Sequence, residues 1–439
     1  MVDKLTDKIK RVAKLDIVKV FSLTSFSTLV KMIAGFISVK IVAVIIGPTG
    51  VALLGQLGNF STIIMTIASG GIATGVTKYI AQYKGEVDVA KNYIGTAVKI
   101  TLFFSVLCGL FLIFGSSKLS SEILLDNKYS YVFIVFGVTL VFYTFNTLLL
   151  AVINGYKQFD LFVKISILST FVGLLLSLAL VIPFGVHGAL LNAVTSQSLT
   201  FFVAIFITKR SGIVQFSFSN FLSKFDKEKA IQYFRFSCMA LISAFTVPVS
   251  QLIIRGFIIN NFSMQAAGCW EGMNRLSGMY LMVITSSFGV YYLPKLSETI
   301  DANILRREIK KAYMVIVPCL LVGLPAVYFC RFIIIKILFT SDFIQMADLF
   351  LWQVLGDFLK ITSWLIAYLM HAKAMVKLFI FTEIGFAASY VGLAFFFGNL
   401  IGFHGIVLGY AVNYAIYLIF IYIVVFQRIN LAIKSKLCL

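Results

Sequence analysis

The chain has 439 residues, of which 60% are hydrophobic and only 13% are charged, and its formal net charge is +19. It contains repeated apolar runs long enough to cross a bilayer, which excludes an ordinary soluble domain and indicates a multi-pass membrane protein. Most basic residues lie beside the ends of these runs, where they orient a membrane protein, so we expect no nucleic-acid partner.

The hydropathy pattern predicts an all-α membrane protein with twelve transmembrane helices. The predicted spans are residues 20–46, 51–80, 92–115, 130–154, 160–182, 187–208, 231–259, 264–293, 308–330, 345–371, 376–397 and 404–426. A cytoplasmic N-terminus places 28 of the 37 lysines and arginines on the inside and four on the outside. The positive-inside rule therefore predicts that both termini are cytoplasmic.

The two halves of the sequence resemble each other. The motif FGVHGALL at 184–191 recurs as IGFHGIVL at 401–408, an offset of 217 residues. At a nearby offset of 215, Lys40 corresponds to Arg255. Since six spans is an even number, the halves share one orientation, and an axis along the membrane normal should relate them. Transporters place their substrate sites between such halves.

This duplication predicts two six-helix lobes joined by one longer cytoplasmic loop. The predicted domains are an N-terminal lobe at 1–208, a linker at 209–229, a C-terminal lobe at 230–427 and a cytoplasmic tail at 428–439. The linker contains several phenylalanines among polar residues, which is compatible with an interfacial helix.

Lys31 is the most informative residue of the first span, because a roughly 30 Å bilayer core places it near the midplane. At 100° per residue it shares a polar face with Ser27, Gly35 and Ser38, so it should face water or protein. We expect it to line a cavity; a buried structural ion pair is the alternative. Lys40 points the opposite way, as a side chain that snorkels to the interface or packs between helices.

Polar residues also mark the second and seventh spans. Asn59 begins a polar face of the second span, which either binds substrate or serves as packing between helices. Gln251 and Arg255 share a face of the seventh span with Pro248, where a kink is expected. We expect Gln251 and Arg255 to face the cavity.

Acidic residues within spans are candidates for cation coupling or gating. Glu271 precedes Arg275 by four residues, so this pair can neutralise itself within one helix. Asp357 precedes Lys360 by three residues, on a face with Gln353 and Trp364. Structural pairing is the alternative to coupling for these acids and for a further acid in the eleventh span, Glu383.

Nothing in the sequence predicts an enzyme or a cofactor. The six cysteines are scattered singly and form no CxxC pair, so neither a disulfide framework nor a metal site is expected. No phosphate-binding loop occurs, which argues against an ATPase within the chain. No Ser/His/Asp arrangement is present on which a catalytic mechanism could be based.

Five runs resemble one known family. They are STLVKMIAGFISVKIVAVIIGPTGVALLGQ (27–56), GVTKYIAQY (75–83), TVPVSQLIIR (246–255), YYLPKLS (291–297) and WQVLGDFLK (352–360). They are similar to the family of Wzx-type O-antigen translocases and enterobacterial common antigen lipid III flippases. This family is the polysaccharide-exporter branch of the superfamily that also holds MATE drug transporters and lipid II flippases.

The resemblance implies a V-shaped pair of lobes around a central cavity in the bacterial inner membrane. It implies that an undecaprenyl-diphosphate-linked oligosaccharide moves from the cytoplasmic to the periplasmic leaflet by alternating access, driven by a proton or sodium gradient or by downstream consumption. Membrane lipid, a polysaccharide polymerase and a chain-length regulator are the other expected partners.

The charged positions Lys31, Lys40, Arg255, Lys360 and two acids, Asp357 and Glu383, match that family. One departure is Gly278, where the family has an acid, while Glu271 and Arg275 replace uncharged residues. Expected substrate ligands are Lys31, Asn59, Gln251, Arg255, Arg275 and Lys360. Expected coupling or gating residues are Glu271, Asp357 and Glu383.

Two other functions fit parts of the sequence. A MATE-like drug/cation antiporter would share the fold but should have an acidic, aromatic cavity rather than a base in the first span. A polymerase or ligase of the same pathway should carry a large periplasmic loop, and the longest predicted outside loop is only 116–129.

Overall fold

The computed structural model describes residues 16–83, 85–211, 225–288, 292, 295–296, 299, 301–373 and 375–435. Within this part of the chain all regular structure is helical. The α-helices are α1 (Asp16–Ala68), α2 (Ala73–Gln82), α3 (Val87–Phe114), α4 (Ser116–Ile123), α5 (Ser130–Gly155), α6 (Phe159–Ser211), α7 (Lys227–Asn261), α8 (Met264–Ser287), α9 (Ala302–Phe329), α10 (Arg331–Leu338), α11 (Phe350–Ala372), α12 (Val376–Ile401) and α13 (Phe403–Ser435). Short 3₁₀ helices at Asn127–Tyr129 and Ser341–Leu349 precede α5 and α11.

Nine helices in the described ranges are long and apolar enough to cross a membrane. Their outward faces carry large exposed side chains, among them Phe114 at 84% and Phe329 at 76% exposure. Soluble proteins rarely expose so many large apolar groups, whereas lipid-facing helices do so without penalty. The chain is therefore an all-helical, multi-pass membrane protein.

Glycines divide the two longest helices. α1 and α6 each have 53 residues, but Gly47 (φ 63°, ψ −174°) and Gly185 (φ 55°, ψ −129°) leave the helical conformation within them. A side chain at such backbone angles is strained, so glycine is required there. Pro48 follows the first break directly, where its missing N–H leaves no donor unsatisfied.

The second predicted span is interrupted, which is a correction to the expectation of one helix over 51–80. α1 ends at Ala68 and α2 begins only at Ala73. Gly70 and Gly71 lie between them with φ of 67° and 62°, a conformation that two consecutive glycines allow at little cost.

Helix boundaries in the two halves of the chain repeat with the predicted offsets. Adding 215 to the ends of α3 and α4 gives the ends of α9 and α10 residue for residue. Adding 217 to 159–184, the part of α6 before its break, gives α12. The breaks also match, because Gly185 corresponds to Gly402, which has φ 78° between α12 and α13. The predicted internal duplication is confirmed by these boundaries.

The described chain forms two compact units. One contains residues up to Ile41 and Gln56–Phe245, and the other contains Val42–Gly55 together with the residues from Thr246 onward. Each unit has its own apolar core, the first around Ile80 and Val152 and the second around Phe288 and Leu365. The interfacial helix considered for 209–229 falls mostly on 212–224, outside the described residues.

Candidate functional site

An ion-pair network lies within the second unit. Glu271 on α8 accepts a hydrogen bond from Nη2 of Arg255 on α7, and its other oxygen accepts one from Nε of Arg275 at 2.8 Å. The predicted pair of Glu271 with Arg275, one helical turn apart, is thus present. Arg255 was missed as its second partner, since α7 and α8 are separate helices.

Burial distinguishes the two arginines. The side chain of Arg255 is 0% exposed, whereas that of Arg275 is 30% exposed. The Arg255 guanidinium lies 5.3 Å from the ring centroid of Trp270, and within the described chain its Nε and Nη1 have no hydrogen-bond acceptor. Because one carboxylate serves two guanidinium groups, the network carries one net positive charge.

Close helix packing encloses this network. Gly55 packs so tightly against it that a Cβ there would lie 2.7 Å from Nη2 of Arg255 and 2.6 Å from Cδ of Glu271. Gly55 therefore lets the helix backbone approach a buried ion pair directly. Small residues at helix contacts allow this in membrane proteins.

A second polar cluster surrounds Asp357 on α11, which is 0% exposed. Its Oδ2 accepts hydrogen bonds from the hydroxyls of Ser277, at 2.7 Å, and Tyr280. Its Oδ1 accepts them from Tyr410, at 2.8 Å, and Gln353, at 3.2 Å. Four donors on one carboxylate compensate much of the cost of burying its charge. The expected structural partner Lys360 makes no ion pair with it, which corrects that alternative.

Lys360 instead lies among aromatic rings. Its Nζ is 5.0 Å from the ring centroid of Trp364, 5.6 Å from that of Tyr414 and 5.8 Å from that of Tyr410. Such cation–π contacts are worth about 0.5 to 2 kcal/mol each, depending on desolvation. Among the residues that the structure describes, the Lys360 ammonium has no carboxylate within 4 Å.

A cavity of about 170 Å³ opens beside Lys360, and its lining residues come from four helices of the second unit. It brings together three predicted site residues, Gln251, Lys360 and Glu383. The other lining residues are Val247, Ser250, Trp364, Thr382, Phe386, Ala387, Tyr390, Tyr410, Asn413, Tyr414 and Tyr417.

The spacing of the lining residues explains how the sequence builds this cavity. Tyr410, Asn413, Tyr414 and Tyr417 occupy positions i, i+3, i+4 and i+7 and therefore share one face of α13. This face was not predicted, because tyrosines in apolar spans resemble ordinary packing residues. The recurrence of side chains with polar groups at helical spacing was the feature of the sequence that could have revealed this face.

Two predicted site residues, Lys31 and Asn59, belong to the first unit. Lys31 and Lys40 are both exposed on α1, while Ser27 beside Lys31 is buried. Asn59 is half-buried, and its Nδ2 has no acceptor in the described part of the chain. Its counterpart 215 residues later, Asn274, has an unpartnered Nδ2 as well.

Solved structures share this fold. An inward-facing multidrug resistance MATE family transporter of the MOP superfamily superposes with a TM-score of 0.76 at 14% identity, covering 93% of this chain and 96% of that one. A MOP superfamily transporter from Pyrococcus furiosus gives a TM-score of 0.68 at 14% identity, covering 95% and 97%. At such low identity the likeness shows the fold alone.

Sequence relatives are more specific. The lipid III flippases of Escherichia coli (strain K12) and Shigella flexneri are each 31% identical over 365 residues, covering 82% of this chain and 86% of theirs. Residues 17–300 match the family described as polysaccharide biosynthesis protein. With this match over more than half its length, the chain belongs to the polysaccharide biosynthesis protein family.

Proposed function

We propose that this protein is a flippase that moves an undecaprenyl-diphosphate-linked oligosaccharide from the cytoplasmic to the periplasmic leaflet of the inner membrane. The observation that carries the proposal is the 31% identity to lipid III flippases over 82% of the chain. The chemistry of the chain agrees with it. A diphosphate sugar head cannot cross hydrocarbon without compensation for its lost hydration, and cationic side chains in spans supply that compensation.

The proposal includes twelve crossings in two six-helix lobes. The breaks at Gly47 and Gly185 divide two of the nine apolar helices, which raises the number of crossings to eleven. α8 is long enough to be the twelfth, since its 24 residues extend about 36 Å. An even number of crossings agrees with the cytoplasmic location of both termini that the basic residues predict.

Arg255 and Arg275 are the proposed diphosphate ligands of the second unit. Arg255 is enclosed in its pair with Glu271, so substrate reaches it only if that pair opens. Phosphate oxygens are strong acceptors for guanidinium groups, and in the described part of the chain two nitrogens of Arg255, Nε and Nη1, have no acceptor. Glu271 is accordingly the proposed gate, which holds both arginines until a diphosphate replaces it.

Lys31, Lys360, Gln251 and Asn59 complete the proposed substrate ligands. The exposure of Lys31 and the position of Lys360 and Gln251 at one cavity support these roles. Asp357 and Glu383 are the proposed cation-coupling residues. Asp357 contacts a cavity-lining hydroxyl, that of Tyr410, and Glu383 lines the cavity itself.

Complementation tests the function. The chain is expressed in an Escherichia coli strain that lacks its own lipid III flippase, and lipid-linked intermediate and surface polysaccharide are quantified. We expect restored surface polysaccharide and reduced intermediate. Purified protein in liposomes should also move a fluorescent undecaprenyl-diphosphate oligosaccharide between leaflets. Absence of both activities from a folded protein would contradict the proposal, and drug efflux without lipid flipping would identify an antiporter.

Coupling is tested separately in the same liposomes. If Asp357 and Glu383 carry a coupling cation, an imposed proton or sodium gradient should accelerate flipping by the unaltered protein. The variants Asp357→Asn and Glu383→Gln should lose this acceleration. Flipping that ignores both gradients would remove the coupling role and leave flipping driven by downstream consumption. The polymerase and chain-length regulator are proposed partners, and co-purification from a native membrane tests them.

A further inference from the structure

The cavity beside Lys360 has the size for a single six-membered ring. Its volume is about 170 Å³. A protein cavity of about 150 Å³ is sufficient to bind benzene. A complete oligosaccharide or a prenyl chain would not fit within it, so its occupant is one ring or one ring-sized part of a larger ligand.

The aromatic walls offer flat surfaces to such a ring. Six aromatic side chains line the cavity, contributed by α11, α12 and α13: Trp364, Phe386, Tyr390, Tyr410, Tyr414 and Tyr417. Several are fixed by edge contacts with one another, such as Tyr410 with Tyr414 at 4.9 Å and Phe386 with Tyr417 at 4.7 Å between centroids. The negative faces of aromatic rings attract weakly positive C–H groups, which one face of a pyranose presents.

The polar wall offers both donors and acceptors. Lys360 can only donate, ionised Glu383 can only accept, and the amide of Gln251 can do both. Asn413 is 4% exposed, and its Oδ1 has no donor among the described residues, although it lines the cavity. A buried amide oxygen without a donor costs about 1 to 3 kcal/mol, which a ligand hydroxyl or amide N–H would offset.

The charges of the lining favour a neutral occupant. Lys360 and Glu383 are the charged residues among those that line the cavity, and their charges cancel. A small cation alone would leave most of the volume empty. The nearby carboxylate of Asp357 already accepts four hydrogen bonds, so it has little remaining capacity to bind a hydroxyl of the occupant.

The internal duplication shows that this chemistry belongs to one half of the chain only. At offsets of 215 and 217, Asp357 corresponds to Phe142 or Leu140. Lys360 likewise corresponds to Phe145 or Tyr143. Packing of the repeated helices therefore does not require these charges, and a role beyond packing accounts for them.

We propose that this cavity is a binding subsite for one neutral pyranose residue of the sugar head group. The inference rests on the proposed flippase function, because it assigns one sugar of that substrate to the second unit. Trp364 and the tyrosines stack on the ring, Lys360 and Glu383 bind its hydroxyls, and Asn413 accepts a hydroxyl or acetamido N–H.

Trp364 provides a direct optical test. The chain has three tryptophans, Trp270, Trp352 and Trp364, of which only Trp364 lines the cavity. In the Trp270→Phe/Trp352→Phe protein, placed in lipid nanodiscs without sugar detergents, fluorescence is recorded during titration with methyl β-glucoside, methyl N-acetyl-β-glucosaminide and methyl β-glucuronide. We expect saturable changes with at least one neutral glycoside, at concentrations at least 10-fold lower than for the glucuronide.

Matched variants locate the response. Asn413→Leu and Glu383→Gln should each weaken the neutral-sugar response at least 5-fold, because the first removes the amide acceptor and the second replaces one carboxylate oxygen by an NH2 donor. Lys118→Met should leave it unchanged, because Lys118 is exposed on α4. Equal or tighter binding of the glucuronide would overturn the neutral subsite, and so would a response that survives both cavity variants.

A second measurement covers the case in which removal of buried Trp270 prevents folding. Saturation-transfer NMR on the unaltered protein with the same three glycosides should show transfer to a neutral sugar, lost in Asn413→Leu. No transfer to any of them would overturn the subsite. If sugar binding fails while complementation succeeds, the subsite is wrong and the function stands. If sugar binds but neither flipping nor complementation occurs, the function is wrong.

Discussion

The guanidinium of Arg255 is completely buried and donates a hydrogen bond to the carboxylate of Glu271. Removing one partner of such a pair leaves the other charge buried and uncompensated, whereas removing both avoids that cost. We therefore predict that Arg255→Met and Glu271→Met each lower the free energy of unfolding by about 3 to 5 kcal/mol. Denaturant titration of the protein in micelles measures this loss.

The joint variant tests the reason for the loss. The double variant Arg255→Met/Glu271→Met should lose clearly less free energy of unfolding than the sum of the two single losses. The matched single change is Arg275→Gln, which removes a partly exposed partner of the same carboxylate and should cost about 1 kcal/mol or less. Additive losses, or a loss at Arg275 as large as that at Arg255, would contradict the prediction.

The second prediction concerns the donors to Asp357. Ser277→Ala and Tyr410→Phe each remove one hydrogen bond from this buried carboxylate. Hydrogen bonds to charged groups contribute about 1.5 to 3 kcal/mol, so each variant should be destabilised by that amount. Ser121→Ala is the control, because Ser121 is exposed and bonds only carbonyls of its own helix. An unchanged denaturation midpoint in both variants would show that these two hydrogen bonds to Asp357 do not contribute to stability.

Glycines at the helix breaks give a prediction based on backbone conformation alone. Among the residues that the structure describes, nothing lies within 4 Å of a Cβ added at Gly47, Gly185 or Gly402, yet all three have positive φ. Alanine there should cost about 1 to 3 kcal/mol through backbone strain. Gly173 has equal space but lies within α6 without positive φ, so Gly173→Ala should instead stabilise by about 0.5 to 1 kcal/mol. Thermal unfolding of the four variants tests this prediction. A loss of stability in Gly173→Ala like that in the other three variants would contradict it.

The sequence was informative where neighbours along one helix determine the structure. The all-helical, membrane-spanning class follows from the apolar runs, and the pair of Glu271 with Arg275 follows from a spacing of one turn. The repeat predicted from FGVHGALL and IGFHGIVL was confirmed because local sequence also determines where a helix breaks, as at Gly185 and Gly402. These features depend on contacts of short range.

Contacts between helices could not be derived in the same way. Arg255 and Glu271 lie on different helices, and the donors Tyr280 and Tyr410 reach Asp357 from α8 and α13. No periodicity within α11 indicates which other helices pack against it. The break after Ala68 was also missed, because two glycines in an apolar run are compatible with a continuous membrane helix.

The last prediction compares two lysines of the same helix. Lys31 and Lys40 are nine residues apart, which at 100° per residue places them on opposite faces of α1, and both are exposed. Because both side chains are exposed, Lys31→Gln and Lys40→Gln should each change stability little. If the face of Lys31 receives the diphosphate head, however, only the loss of Lys31 removes an attraction from the substrate's path.

We predict that Lys31→Gln lowers the flipping rate in liposomes at least 10-fold, a difference of about 1.4 kcal/mol. Lys40→Gln should change the rate less than 2-fold, because a lysine that snorkels beside lipid makes no contact with the head group. Equal effects of the two variants would show that the rate depends on the charge of α1 and not on the face that carries it. The assignment of Lys31 to the substrate path would then be wrong.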